Sequence, residues 1–113
     1  MKTAGLQVTH QEVPPDLVVI TLTGKMMLGE SAAVESLILS LLGSGRRKFI
    51  VDLSGVTHID STGIGRFISS FNKIMAVGGE MRMAGASGHV MQSFRVSLLD
   101  KVFTFYPTLQ QAL

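Results

Sequence analysis

A β-rich apolar run, Phe49-Ile50-Val51-Asp52-Leu53, is followed by apolar residues at Ile64, Phe67, Ile68, Phe71, Ile74 and Met75. The first pattern suits a buried strand, and the second paints one face of a helix. A strand that feeds a helix in this way is half of a crossover unit, which constrains the chain to an α/β architecture. The connection between them holds Asp60-Ser61-Thr62-Gly63-Ile64-Gly65. Two adjacent hydroxyls therefore sit at the start of a helix, where unpaired backbone N–H groups and a partial positive charge accommodate added negative charge. Gly63 and Gly65 contribute little side-chain bulk, so a partner is expected to approach Ser61 and Thr62 closely.

The rest of the chain extends the pattern. Leu6 to His10 alternates as a half-buried strand, Pro14-Pro15-Asp16 marks a turn, and Leu17 to Thr23 is a second strand. These two form an N-terminal hairpin. Gly24 to Gly29 reads as a loop. Glu30-Ser31 opens a helix with Val34, Leu37, Ile38, Leu41 and Leu42 on one face, closed by Gly43-Ser44-Gly45. Gly78-Gly79 stops the helix that starts at Ile64, and Glu80 to Ala84 is a short strand. After a loop from Gly85 to Gly88, the positions Val90, Met91, Phe94 and Leu98 fit a further helix. Val102 to Tyr106 is a last strand, and Pro107 begins a short terminal helix. The expectation is one α/β domain over residues 1–113, with a small, mixed and mainly parallel sheet of about five strands flanked by helices.

Composition narrows the function. A length of 113 residues and 46% hydrophobic content suit one folded core. The absence of Cys removes thiolate metal sites, disulfides and a Cys nucleophile, and fits a reducing cytoplasm. No apolar run reaches the roughly 20 residues of a membrane span, and no signal core follows Met1-Lys2-Thr3-Ala4-Gly5. A soluble cytoplasmic chain is expected. The formal net charge of +2, with no Trp and one Tyr, does not resemble a nucleic-acid footprint. The cluster Arg46-Arg47-Lys48 reads as a solvated turn before a strand. Met75, Met81, Met83 and Met91 fall within elements and read as core filler, whereas Met26-Met27 falls in a loop and suits an exposed adhesive surface.

Enzyme chemistry finds little support. His10, His58 and His89 show no metal-site spacing, so no metal or other cofactor is expected. Ser61, His58 and Asp60 lie too close in sequence to converge as a nucleophile, base and orienter. Gly63-Ile64-Gly65 lacks the Gly-Lys-Ser/Thr end of a nucleotide loop. Asp52, near the end of a buried strand, is a candidate phosphoacceptor, but its only acidic neighbours near the first strand are Glu12 and Asp16, beside the Pro-Pro turn. Asp60 or Ser61 as a simple helix cap is the plainest alternative, yet a cap uses one polar residue, not two hydroxyls.

Val51-Asp52-Leu53-Ser54-Gly55-Val56, Ile59-Asp60-Ser61-Thr62-Gly63-Ile64-Gly65 and Gly78-Gly79-Glu80-Met81-Arg82-Met83-Ala84-Gly85 together resemble a STAS domain. The resemblance is to the stand-alone bacterial anti-sigma factor antagonist type and spans essentially the whole chain. It implies a non-enzymatic switch that regulates transcription indirectly. The unphosphorylated antagonist binds an anti-sigma factor that is also a serine kinase, and phosphorylation releases it. Ser61 corresponds to the phosphorylated residue, with Thr62 the second choice, and a PP2C-type phosphatase reverses the mark. The implied state is a monomer or weak homodimer. The segment after Gly24, Lys25-Met26-Met27-Leu28-Gly29-Glu30, departs from the family's frequent Gly-Asp. Two rival roles remain: a STAS scaffold subunit without a phosphoswitch, and a nucleotide- or small-molecule-binding domain.

The expected partner surface centres on the turn, with His58, Asp60, Ser61, Thr62, Gly63 and Gly65. Met26 and Met27 flank it on one side. Arg66 would greet an acidic partner or the phosphate, and Gly85 and Ser87 would add the loop after the fourth strand.

Overall fold

The computed structural model describes residues 5–113. The first four residues, read above as carrying no signal core, lie outside the described residues. The elements are β1 (Leu6–Val13), β2 (Leu17–Met26), α1 (Ala32–Gly43), β3 (Lys48–Ile59), α2 (Ser61–Ala76), β4 (Glu80–Ala84), α3 (Gly88–Val96), β5 (Thr104–Tyr106) and α4 (Leu109–Ala112). Short 3-10 turns cover Leu28–Ser31 and Leu99–Lys101.

Among the described residues the strands form one five-stranded sheet in the order β1-β2-β3-β4-β5. The β1–β2 hairpin is antiparallel and every other pair is parallel. Spatial order thus follows chain order, so crossovers of a single hand place α1, α2 and α3 on the same face. There Val34 and Ile38 of α1, Phe67 and Ile74 of α2, and Val90 and Phe94 of α3 pack on Ile20, Leu22, Phe49 and Val51. Each such fully buried side chain contributes roughly 1.5–3 kcal/mol. The opposite face carries a smaller cluster in which Leu109 and Ala112 of α4 cover Val19, Ile50 and Ala84.

Several boundaries differ from the sequence reading. β3 runs for twelve residues instead of ending at Leu53. Its pairing with β4 stops at Asp52↔Ala84, but its pairing with β2 continues to Met26↔Ile59. Register shifts at Thr21/Thr23 and Gly24/Lys25 accompany this extension, and such irregularities bend a strand and increase its twist. The lengthened β2–β3 arm carries the chain to the start of α2, which begins at Ser61 and not at Ile64. β2 likewise absorbs the first half of the expected Gly24–Gly29 loop. Leu98 does not belong to a helix face: it is 65% exposed, with a left-handed φ of 61°. Val102 is exposed ahead of β5, and Ile68 and Met75 are exposed on α2, outside the buried stripe.

Two of the three cations of the basic cluster are paired locally. Arg46 pairs with Glu12 at 2.5 Å and Lys48 with Asp16 at 3.2 Å, while Arg47 donates to the carbonyls of Leu42 and Arg46.

Candidate functional site at the start of α2

Asp60 has an extended backbone, φ −109° and ψ −178°, and its Oδ1 accepts the Gly63 N–H at 2.9 Å. That is the geometry of an N-cap. Its own N–H donates to the Met26 carbonyl at 3.3 Å, which ties the cap to the end of β2. The cap is thus supplied by the aspartate. Ser61 and Thr62, the first two residues of α2, are exposed, and neither hydroxyl has a hydrogen-bond partner among the described residues.

The two glycines of the turn have different work. Gly63 is buried, and a Cβ there would lie 2.8 Å from Ile59 Cγ1 and 2.9 Å from the Met26 carbonyl oxygen. It lets α2 start against the β2–β3 arm, and the space a side chain would take there is already filled. Gly65 is exposed with open space around its Cβ direction. Gly85 also serves the fold: it has φ +74°, and a Cβ would lie 2.8 Å from that of Ser54. Ser87 is exposed at the start of α3, and its side chain makes no capping hydrogen bond.

Two more expectations are corrected. Met26 is fully buried in the main core, because β2 extends through it and turns its side chain inward; Met27, beside it, is half-buried. Arg66 is not a free charge. Its Nη1 donates to Glu35 Oε1 of α1 at 2.9 Å. Lys73 Nζ reaches Glu35 Oε2 at 2.7 Å, and the Ser69 hydroxyl donates to the same oxygen. Glu35 is only 7% exposed. These donors, Lys73 first, then Ser69 and Arg66, lower its carboxyl from 4.5 to about 2. The clasp escaped the sequence reading, although Arg66, Ser69 and Lys73 recur at the spacing of one helix face.

His58 is exposed at the end of β3, with Nδ1 2.9 Å from Thr57 Oγ1, and its ring lies 5.6 Å from that of His89 at the start of α3. The side chains of His58 and Asp60 are thus directed to Thr57 and to the Gly63 amide, away from a triad with Ser61. Asp52 accepts from the backbone N–H and hydroxyl of Ser54 at 3.0 and 2.8 Å. Among the described residues no helix is long and apolar enough to cross a membrane.

A five-stranded mixed sheet carrying its helices mainly on one face, with an Asp-Ser-Thr-Gly turn that exposes its two hydroxyl residues at the start of the second helix, is the arrangement of a known domain class. The STAS domain model matches residues 9–112, and the chain belongs to that family. Solved structures of the same fold include an anti-sigma factor antagonist from Mycobacterium paratuberculosis, with a TM-score of 0.84 at 20% identity, covering 95% of this chain and 90% of that one. The anti-sigma factor antagonist SpoIIAA in its unphosphorylated form gives 0.81 at 20% identity, covering 94% and 92%. The Bacillus cell fate determinant SpoIIAA in its phosphorylated form gives 0.74 at 20% identity, covering 94% and 96%.

Proposed function

We propose that this chain is an anti-sigma factor antagonist, a binding and switching module whose state is set by phosphorylation of Ser61. The observation that carries the proposal is the idle pair of hydroxyls. Asp60 caps α2 through the Gly63 amide, so helix capping does not account for Ser61 or Thr62. Both are exposed, and their hydroxyls have no partner among the described residues. The fold shared with antagonists, one of them solved in a phosphorylated form, supports the same assignment.

Unphosphorylated, the turn presents Ser61, Thr62 and the open side of Gly65 to an anti-sigma factor that is also a serine kinase. Phosphorylation adds roughly −1.5 to −2 charges and three acceptor oxygens. At the centre of a close contact this brings repulsion and desolvation, and a tenfold loss of affinity needs only about 1.4 kcal/mol. Within the free protein the start of α2 tolerates the charge. A PP2C-type phosphatase resets the switch. In this scheme the chain is the substrate of an enzyme and not itself a catalyst, and it acts in the cytoplasm.

Ser61 is preferred over Thr62 as acceptor because a primary hydroxyl is less hindered than a β-branched secondary one. Labelling with the kinase that co-purifies with the chain, followed by phosphopeptide mapping, tests this. Label on Ser61 that is lost in Ser61→Ala supports the proposal. Label on Thr62 with Ser61 unmodified reverses the acceptor assignment.

A further inference from the structure

A cleft of about 320 Å³ lies between the start of α2 and α3. Ile59, Ile64 and Val96 provide its apolar lining, Ser61 lies on one rim, and His89 and Gln92 lie on the other. Ser93 and Ser97 also line it, but their hydroxyls already donate to the carbonyls of His89 and Ser93, each at 3.0 Å. His89 and Gln92 stand three residues apart, on one face of α3. Neither side chain has a hydrogen-bond partner among the described residues. His58 packs against the His89 ring at 5.6 Å. The α3 sequence contains no carboxylate. Asp60, the one carboxylate lining the cleft among the described residues, directs Oδ1 to the Gly63 amide. Arg66, the nearest cation along α2, is engaged by Glu35 of α1.

Two polar side chains without hydrogen-bond partners among the described residues therefore line the same cleft as the Ser61 hydroxyl. On the footing that Ser61 is phosphorylated, we propose that this cleft receives the phosphate within the same molecule. His89 and Gln92 donate to its oxygens, and His58 holds the His89 ring in place. Charge-assisted hydrogen bonds to phosphate are the strong class of such contacts, and the three oxygens of the group can serve two donors at once. The mark then does more than repel a partner. It joins α3 to the start of α2 and fills the cleft that the unmodified surface leaves open.

The test uses the full chain with phosphoserine installed at position 61 by genetic code expansion. It needs no kinase, so its failure is separable from failure of the proposed function. The second ionisation of the phosphate, ordinarily near about 6, is followed by 31P NMR in the folded protein and in the same protein unfolded in urea. The folded midpoint is expected at lower pH. In His89→Ala/Gln92→Ala most of that displacement should disappear, and the remainder is the share of the α2 terminus. His89→Phe is a second variant that keeps a ring against His58 but lacks the N–H donor; it should lose the part supplied by His89. Both targets are exposed, and thermal unfolding checks that the variants are folded. A midpoint in the folded variants equal to that of the parent phosphoprotein overturns the proposal.

Discussion

Arg66 donates to Glu35 at 2.9 Å, so the cation nearest the Asp60–Gly65 turn on α2 is turned toward α1. Lys73 and Ser69 close on the same carboxylate, and three side chains of α2 thereby hold one buried residue of α1. The α1–α2 contact is thus fixed by charge as well as by Val34, Ile38 and Phe67.

Removing the carboxylate should weaken this clasp in a pH-dependent way. Glu35→Gln should destabilise the protein by roughly 1–2 kcal/mol near neutrality, toward the low end for charged hydrogen bonds, because Arg66 and Lys73 are half-exposed and regain water. The folded carboxyl titrates at about 2 against an ordinary 4.5. Its contribution is therefore fully present above 4.5 and is lost as pH falls toward 2. Urea unfolding of both proteins at stepped pH should show the stability gap closing across that window. A gap that is constant with pH would assign the effect to packing instead.

Asp60 separates capping from charge. Asp60→Asn should unfold within a few tenths of a kcal/mol of the parent, because Asn caps as well as Asp, whereas Asp60→Ala should lose about 0.5–2 kcal/mol. Equal losses in both variants, measured by denaturant titration, would mean that the negative charge matters more than the 2.9 Å bond to Gly63.

The two glycines of the turn should respond in opposite directions. Gly63→Ala places a methyl 2.9 Å from the Met26 carbonyl oxygen and 2.8 Å from Ile59 Cγ1, and should cost about 1–3 kcal/mol. Gly65→Ala meets nothing and removes a helix-interior glycine, so it should stabilise by roughly 0.5–1 kcal/mol. Gly65→Arg should retain the native circular dichroism spectrum while blocking the partner. Thermal melts of the set decide the matter, and Gly63→Ala as stable as the parent would contradict the packing described here.

Regular elements were legible where side-chain periodicity was strong. The hairpin, the β3 core from Phe49 to Leu53 and the apolar face of α2 follow directly from spacing. The β2–β3 arm was hidden because Ser54, Gly55, Thr57 and His58 look like loop residues, yet Gly55 and His58 pair with Thr23 and Lys25 across register shifts that skip Ser54 and Thr57. That error placed Met26 on the surface, since a residue read as loop gave no hint of an inward strand position. The strand-to-helix turn at Asp60–Gly65, with two exposed hydroxyls, was legible from its residue types. The partners of Arg66 were not, because pairing across two helices depends on how they dock. Gly63 illustrates the same limit: sequence shows a missing side chain, but only the packing shows whether the space is open to a partner or already filled.

Affinity for the anti-sigma kinase, measured with the phosphoryl group as the sole variable, tests the central claim most directly. The chain carrying serine and the chain carrying phosphoserine at position 61 would each be titrated calorimetrically into the kinase that co-purifies with the unmodified protein. Binding weaker by tenfold or more in the phosphoserine form, or about 1.4 kcal/mol, is the predicted result, with Ser61→Ala close to the unmodified chain. Equal affinity of the serine and phosphoserine forms would contradict the switch.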